Sequence, residues 1–124
     1  MRLEKIQTGR KFSIYALVFD GGLEEDCPAL KFLEDLKRTN ERSHKRFLYL
    51  LDRLANVGQI TNKEFSNPLK EGINELKTEY TDRILYFFHT GSRVILSHGF
   101  QKKRNYQSEI RKAIAYRRQW EESL

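Results

Sequence analysis

With 124 residues, 39% hydrophobic and 12% aromatic, the chain has enough apolar side chain for one packed domain over residues 1–124 and too little length for two. A disordered or low-complexity segment is excluded by the same composition, and a transmembrane helix by the longest apolar run, Ile84–Phe88, which is only strand-sized. The net charge of +6 points to an anionic partner.

Phe12–Phe19 is rich in β-branched and aromatic residues and stops at Asp20-Gly21-Gly22, which predicts a first strand and a turn. Arg2, Lys5, Arg10 and Lys11 precede it, but Ile14–Phe19 is too short for the apolar part of a secretory signal. With Cys27 the only cysteine, no internal disulfide forms, and the chain is expected to be cytoplasmic. Asp26 is the predicted N-cap of a first helix with Pro28 in its first turn; Ala29, Leu33 and Leu36 form its apolar stripe. Asn40 is expected to cap a second helix, in which Phe47, Leu50, Leu51 and Leu54 follow helical spacing up to Gly58. Gln59–Gly72 reads as a loop. Three strands follow, Ile73–Tyr80, Arg83–His89 and Arg93–Phe100, the last two joined by the tight Thr90-Gly91-Ser92 segment. Ser108 is the expected cap of a final helix, Glu109–Glu122. The expected fold is α+β, in the order β-α-α-β-β-β-α: a small antiparallel meander sheet packed on one face against a helical hairpin. Its other face is left for solvent or function.

Charge is segregated along the chain. Asp20–Asp35 holds six acidic residues against Lys31, whereas Gly99–Trp120 holds seven basic residues against Glu109. No zinc-ligand spacing and no phosphate-cradling glycine loop is present, so no metal and no cofactor is expected.

Asn67 to Lys103 carries a more specific pattern: Pro68-Leu69-Lys70-Glu71-Gly72-Ile73-Asn74-Glu75-Leu76-Lys77, then Arg83-Ile84-Leu85-Tyr86-Phe87-Phe88, then Val94-Ile95-Leu96-Ser97-His98-Gly99-Phe100-Gln101-Lys102-Lys103. In this order and spacing it resembles the RelE/ParE toxin superfamily of type II toxin–antitoxin systems, the HigB-like phage-derived branch above all. Two departures stand out. Arg104-Asn105-Tyr106-Gln107 replaces the Thr/Pro-containing stretch common before the last helix, and Met1–Lys11 precedes the usual first strand without an evident role.

The resemblance implies a RelE-like fold and a metal-independent endoribonuclease that cuts mRNA on the ribosome by attack of the 2′-OH. It also implies a cognate antitoxin, of helix-turn-helix type, as partner. RNA carries its own nucleophile, so the enzyme must move two protons and stabilise a charged phosphorane. By resemblance, Arg83 and Lys102/Lys103 clamp the phosphate. Lys77, which alternates with Glu75 and Glu79 opposite Leu76, is a further cation for proton transfer, and Tyr106 stacks on a base or exchanges a proton. Arg83 has a second reading, an ion pair with Asp82, Glu75 or Glu79. His98, placed by alternation with Val94, Leu96 and Phe100, is either a hydrogen-bonded core histidine or a catalytic one. Arg104, Arg111, Lys112, Arg117 and Arg118 are the expected RNA or ribosome contacts. His89 is read as structural on Arg83's face, His44 as solvent-exposed and Cys27 as inert. Two other functions compete: a ParE-like inhibitor of DNA gyrase without nuclease activity, and a non-catalytic nucleic-acid-binding module.

Overall fold

The computed structural model describes residues 1–102 and 105–124. Asn40 alone separates helix α1 (Pro28–Thr39) from helix α2 (Glu41–Val57). Its N–H closes α1 on Leu36 O, and its side chain accepts from Ser43 N at 3.2 Å to start α2. Gly58 ends α2 in the left-handed conformation, φ 91°. Pro28 opens α1 as expected, but the cap position is Cys27 and no side chain bonds there. Asp26 instead pairs its backbone with Phe19.

The protein is α+β, with three helices and one six-stranded mixed sheet among the described residues. Around the helices run strands β1 (Arg2–Thr8), β2 (Ser13–Val18), β3 (Ser66–Pro68), β4 (Asn74–Lys77), β5 (Asp82–His89) and β6 (Arg93–Gln101), followed by α3 (Tyr106–Glu122). The sheet order is β1-β2-β6-β5-β4-β3. This differs from the expected order in two strands. The N-terminal extension is β1, an edge strand paired with β2, and the Gln59–Gly72 segment contains the short β3. The sheet is also not wholly antiparallel. β2 lies parallel to β6, because α1 and α2 carry the chain across to the far side of the sheet.

Both faces are covered. Leu33, Leu36, Phe47, Leu50, Leu51 and Leu54 of the helical hairpin pack on Ile14, Leu76, Ile84 and Leu96. Ile110, Ala113 and Trp120 of α3 pack on Leu85, Phe87, Ile95 and Phe100. The face expected to stay open is therefore largely filled by α3. A bulge decides which β6 residues reach α3. Leu85 pairs with His98 and Tyr86 with Leu96, so Ser97 is the extra residue and the inward parity changes there. Leu96 faces the hairpin, whereas His98 and Phe100 face α3. This corrects the alternation that put all three on one face.

The β1–β2 turn closes the C-terminal end of α2. Lys11 N and Phe12 N both donate to Ala55 O, at 2.8 and 3.0 Å, and Arg10 N donates to Asn56 Oδ1 at 3.1 Å. Gly9 lies so close that a Cβ would overlap the Ala55 carbonyl group. Among the described residues no helix is long and apolar enough to cross a membrane.

Gly9→Ala is expected to force this turn off α2 and destabilise the protein by about 1–3 kcal/mol, the usual cost of overpacking. Urea unfolding monitored at Trp120 measures it; an unchanged midpoint contradicts the packing described.

Candidate functional site

Lys77 ends β4 and Arg83 lies near the start of β5, and the two stand directly opposite each other in the antiparallel ladder. The link between them is a tight turn in which Thr78 N bonds Asp82 O at 3.0 Å and Thr81 takes φ 69°. Asp82, left between the expected strands Ile73–Tyr80 and Arg83–His89, is the first residue of β5. Lys102, just beyond β6, donates its N–H to Thr81 O at 2.9 Å, which draws a third cation to the same turn. Lys77, Arg83 and Lys102 line one open groove of about 320 Å³, with Phe65, Thr78 and Glu79 among its other walls. Lys103 and Arg104 lie outside the described residues.

Beneath the groove is a buried polar hub that the sequence reading treated only as a possible ion pair. Arg83 bonds Glu75 Oε1 at 2.5 Å, with both side chains buried. The same oxygen accepts from the Tyr106 hydroxyl at 2.5 Å, and Glu75 Oε2 accepts from Asn67 Nδ2 at 3.1 Å. The guanidinium of Arg83 also lies 5.0 Å from the centre of the Tyr106 ring. Burial, followed by the hydrogen bond to Glu75, pushes the Tyr106 phenol well above its ordinary range, so it acts as a donor. Arg83 Nε is buried and has no partner among the described residues. Strand parity alone puts Glu75 and Lys77 on one face; the convergence of Asn67, Arg83 and Tyr106 on Glu75 is non-local and has no sequence signature.

The turn is also fastened from the hairpin side. Ser43 Oγ donates to Asp82 Oδ2 at 2.6 Å and lies 2.8 Å from Thr78 Oγ1, all buried. Lys77 and Arg83 therefore project from a turn anchored to the first turn of α2.

His98 is not in the groove. It is buried against α3, with Nε2 3.1 Å from Glu109 Oε1, Nδ1 2.9 Å from Ser97 Oγ and its ring against Tyr116. This is the environment of a hydrogen-bonded histidine in the core, apart from the groove. His89 lies on Arg83's face, stacked edge-on against Trp120. Of the α3 cations, Arg111, Lys112 and Arg118 are exposed. Arg117 is half-buried, close to the Gly72 backbone and 5.9 Å from the centre of the Phe87 ring. Cys27 is half-buried and burial raises its thiol pKa, which suits an unreactive side chain.

The family model Phage derived protein Gp49-like (DUF891) matches residues 34–119. The chain belongs to this family. Gp49-like proteins are a RelE/HigB-like toxin family of toxin–antitoxin systems. The match runs from α1 through most of α3 and takes in the whole groove and its hub, while β1 and β2 fall outside it. The comparison with curated proteins finds no match.

The buried His98 sets a pH dependence. Burial, opposed by Glu109, lowers its pKa below 6.5, so the unfolded chain takes up the proton first. Its contribution to stability is intact above pH 6.5 and is lost as the pH falls from there through the folded-state value. His98→Gln is expected to flatten the fall in the urea midpoint below pH 6.5. Parallel pH profiles of wild type and variant would exclude His98 as the titrating group.

Proposed function

We propose that this Gp49-like chain is the toxin of a type II toxin–antitoxin pair and an endoribonuclease of the RelE/HigB kind, with the RelE-like fold. The observation that carries this reading is the convergence of Lys77, Arg83 and Lys102 on one groove, above a carboxylate that fixes Arg83 and Tyr106. In RNA cleavage the 2′-OH attacks the adjacent phosphorus, a bond to the 5′-oxygen breaks, and negative charge builds on the non-bridging oxygens. Held cations aimed at those oxygens act where charge develops and need little reorganisation. Arg83 suits this role because its Nη1 is tied to Glu75, which fixes the direction of a guanidinium that lines the groove. Lys77 and Lys102 bring the remaining charge. Lys77 gives a proton to the leaving 5′-oxygen, and water in the open groove accepts the proton that the 2′-OH releases. Glu75 Oε1 already accepts two hydrogen bonds, so its role is to orient Arg83 and Tyr106 rather than to take up the 2′-OH proton. Tyr106, held as a donor, presents a ring on which a base can stack. Lys103 and Arg104 extend the basic surface in this reading, and Arg111, Lys112 and Arg118 provide the docking charge for the ribosome.

The same reading places the protein in the cytoplasm, with mRNA on the ribosome as substrate and a helix-turn-helix antitoxin as partner. An acidic antitoxin segment over the groove would gain in association rate from this field.

Lys77→Ala and Lys102→Ala test the assignment without leaving a buried charge unpaired, as Arg83→Ala would. Each is expected to relieve growth arrest and to slow cleavage of ribosome-bound message by about 10²- to 10³-fold, the loss typical of one transition-state donor. A wild-type protein that arrests growth while the message stays intact refutes the nuclease assignment. Salt-dependent RNA binding with no turnover points instead to a binding module.

A further inference from the structure

The groove does not end at the β4–β5 turn. Across Glu79 it adjoins a depression of about 530 Å³ on the outer face of α2, lined by Arg42, Lys45, Tyr49 and Tyr80. Across Phe65 it adjoins a second, of about 170 Å³, that reaches Arg53 and Ile60. Arg46 and Tyr49 border both depressions, so the three form one continuous strip. Among the described residues lining it, seven are basic, and only Glu64 and Glu79 are acidic.

Aromatic rings alternate with this charge. Tyr49 is 52% exposed, and Tyr80 and Phe65 are half-buried. Arg46 is fixed between them, its guanidinium 4.6 Å from the centre of the Phe65 ring and 5.8 Å from that of Tyr49, and is held by Glu79 through two hydrogen bonds of 3.1 and 3.3 Å. Arg42 and Arg53 make no ion pair among the described residues. Exposed flat rings beside unpaired cations are what an unpaired nucleotide strand needs, since the bases stack and the phosphates are neutralised. An acidic peptide would use the charge and leave the rings idle, and a duplex would keep its bases from the rings.

We propose that the outer face of α2 is a track for single-stranded RNA, holding the nucleotides that flank the one cut in the groove, with Tyr49 as a stacking platform and Arg42 and Arg53 as phosphate contacts. This rests on the nuclease reading of the groove and adds to it a second contact surface, the outer face of α2, for the nucleotides beside the cut.

The test is binding of 2′-O-methyl RNA, which lacks the nucleophile and so reports affinity without turnover. Oligonucleotides of about three and about twelve nucleotides are compared by fluorescence anisotropy over a range of salt. The wild type is expected to bind the longer one more tightly. Tyr49→Ala should weaken the longer by about five-fold or more and leave the shorter unchanged. Arg42→Ala and Arg53→Ala should each reduce the salt slope by roughly 0.7, as for one phosphate contact to a single strand. All three side chains are exposed, so the variants retain the core. Long RNA bound equally well by wild type and variants overturns the track. If that protein still cuts message, only the track falls and the nuclease reading stands. Message left uncut by a protein that binds long RNA through Tyr49 does the reverse. Tyr49-dependent binding of an acidic peptide, with RNA binding unaffected, assigns the face to a protein and also overturns the track.

Discussion

The buried pair of Glu75 and Arg83 is the constraint on which the rest of the site depends. Two charges withdrawn from water cost several kcal/mol each unless their remaining hydrogen-bonding capacity is met. Here Glu75 is met from three directions: Arg83 on β5, Tyr106 at the start of α3 and Asn67 on β3. The cost of burial is offset only while all these elements stay docked, so the pair ties the sheet edge, the last helix and the groove floor into one unit. The geometry that Lys77 and Lys102 need is set by this floor and by the Ser43–Asp82 anchor on the other side of the sheet. A lysine on a free hairpin would lose much of its effect to reorganisation.

Local signals in the sequence translated into structure where they were strongest, whereas the expected caps Asp26 and Ser108 did not form: Cys27 holds the first position and Asn105, accepting from Ser108 N, caps α3. Asn40 and Gly58 mark helix ends through their own side chain or backbone, and the leucine stripe of α2 needs nothing beyond helical periodicity. Signals that depend on a distant partner did not. β3 is only Ser66–Pro68, too short to show alternation, and β1 reads as a charged segment until β2 orders it. The Ser97 bulge inverts the inward parity of His98 and Phe100, and no residue type announces it. In α3, Ile110, Ala113 and Trp120 form a sparse apolar stripe inside a strongly basic segment; the helix was legible at Glu109–Glu122, but its packing on Leu85, Phe87, Ile95 and Phe100 was not.

The site divides along the same line. Lys77 and Arg83 could be brought together from sequence because a short turn between antiparallel strands leaves few alternatives, and Lys102 follows from the length of β6. Glu75 could not be recognised as a hub, since its three partners are 8, 8 and 31 residues away on different elements. Charge counted along the chain was also a partial guide. The basic run at the C-terminal end puts Lys102 in the groove and Arg111, Lys112 and Arg118 on the outside of α3, while Arg117 folds back on Phe87. The cations of α2 went unnoticed because they alternate with Phe47, Leu50 and Leu54 and with acidic neighbours; the helix, not the sequence, gathers them on one face.

The groove is not uniformly positive at short range. Glu75 compensates Arg83, so the field felt by an approaching phosphate comes from Lys77, Lys102 and the exposed arginines and lysines of α2 and α3. Such exposed charge acts over roughly a Debye length, about 8 Å at physiological salt, and weakens as salt rises. Arg83 acts differently. Buried, planar and held by Glu75, it affects only a group already seated in the groove, through donors whose direction is fixed. On the proposed reading, capture and positioning fall to different cations, one set screened by salt and the other shielded from it, so salt should weaken association with RNA far more than it slows a step taken by bound RNA.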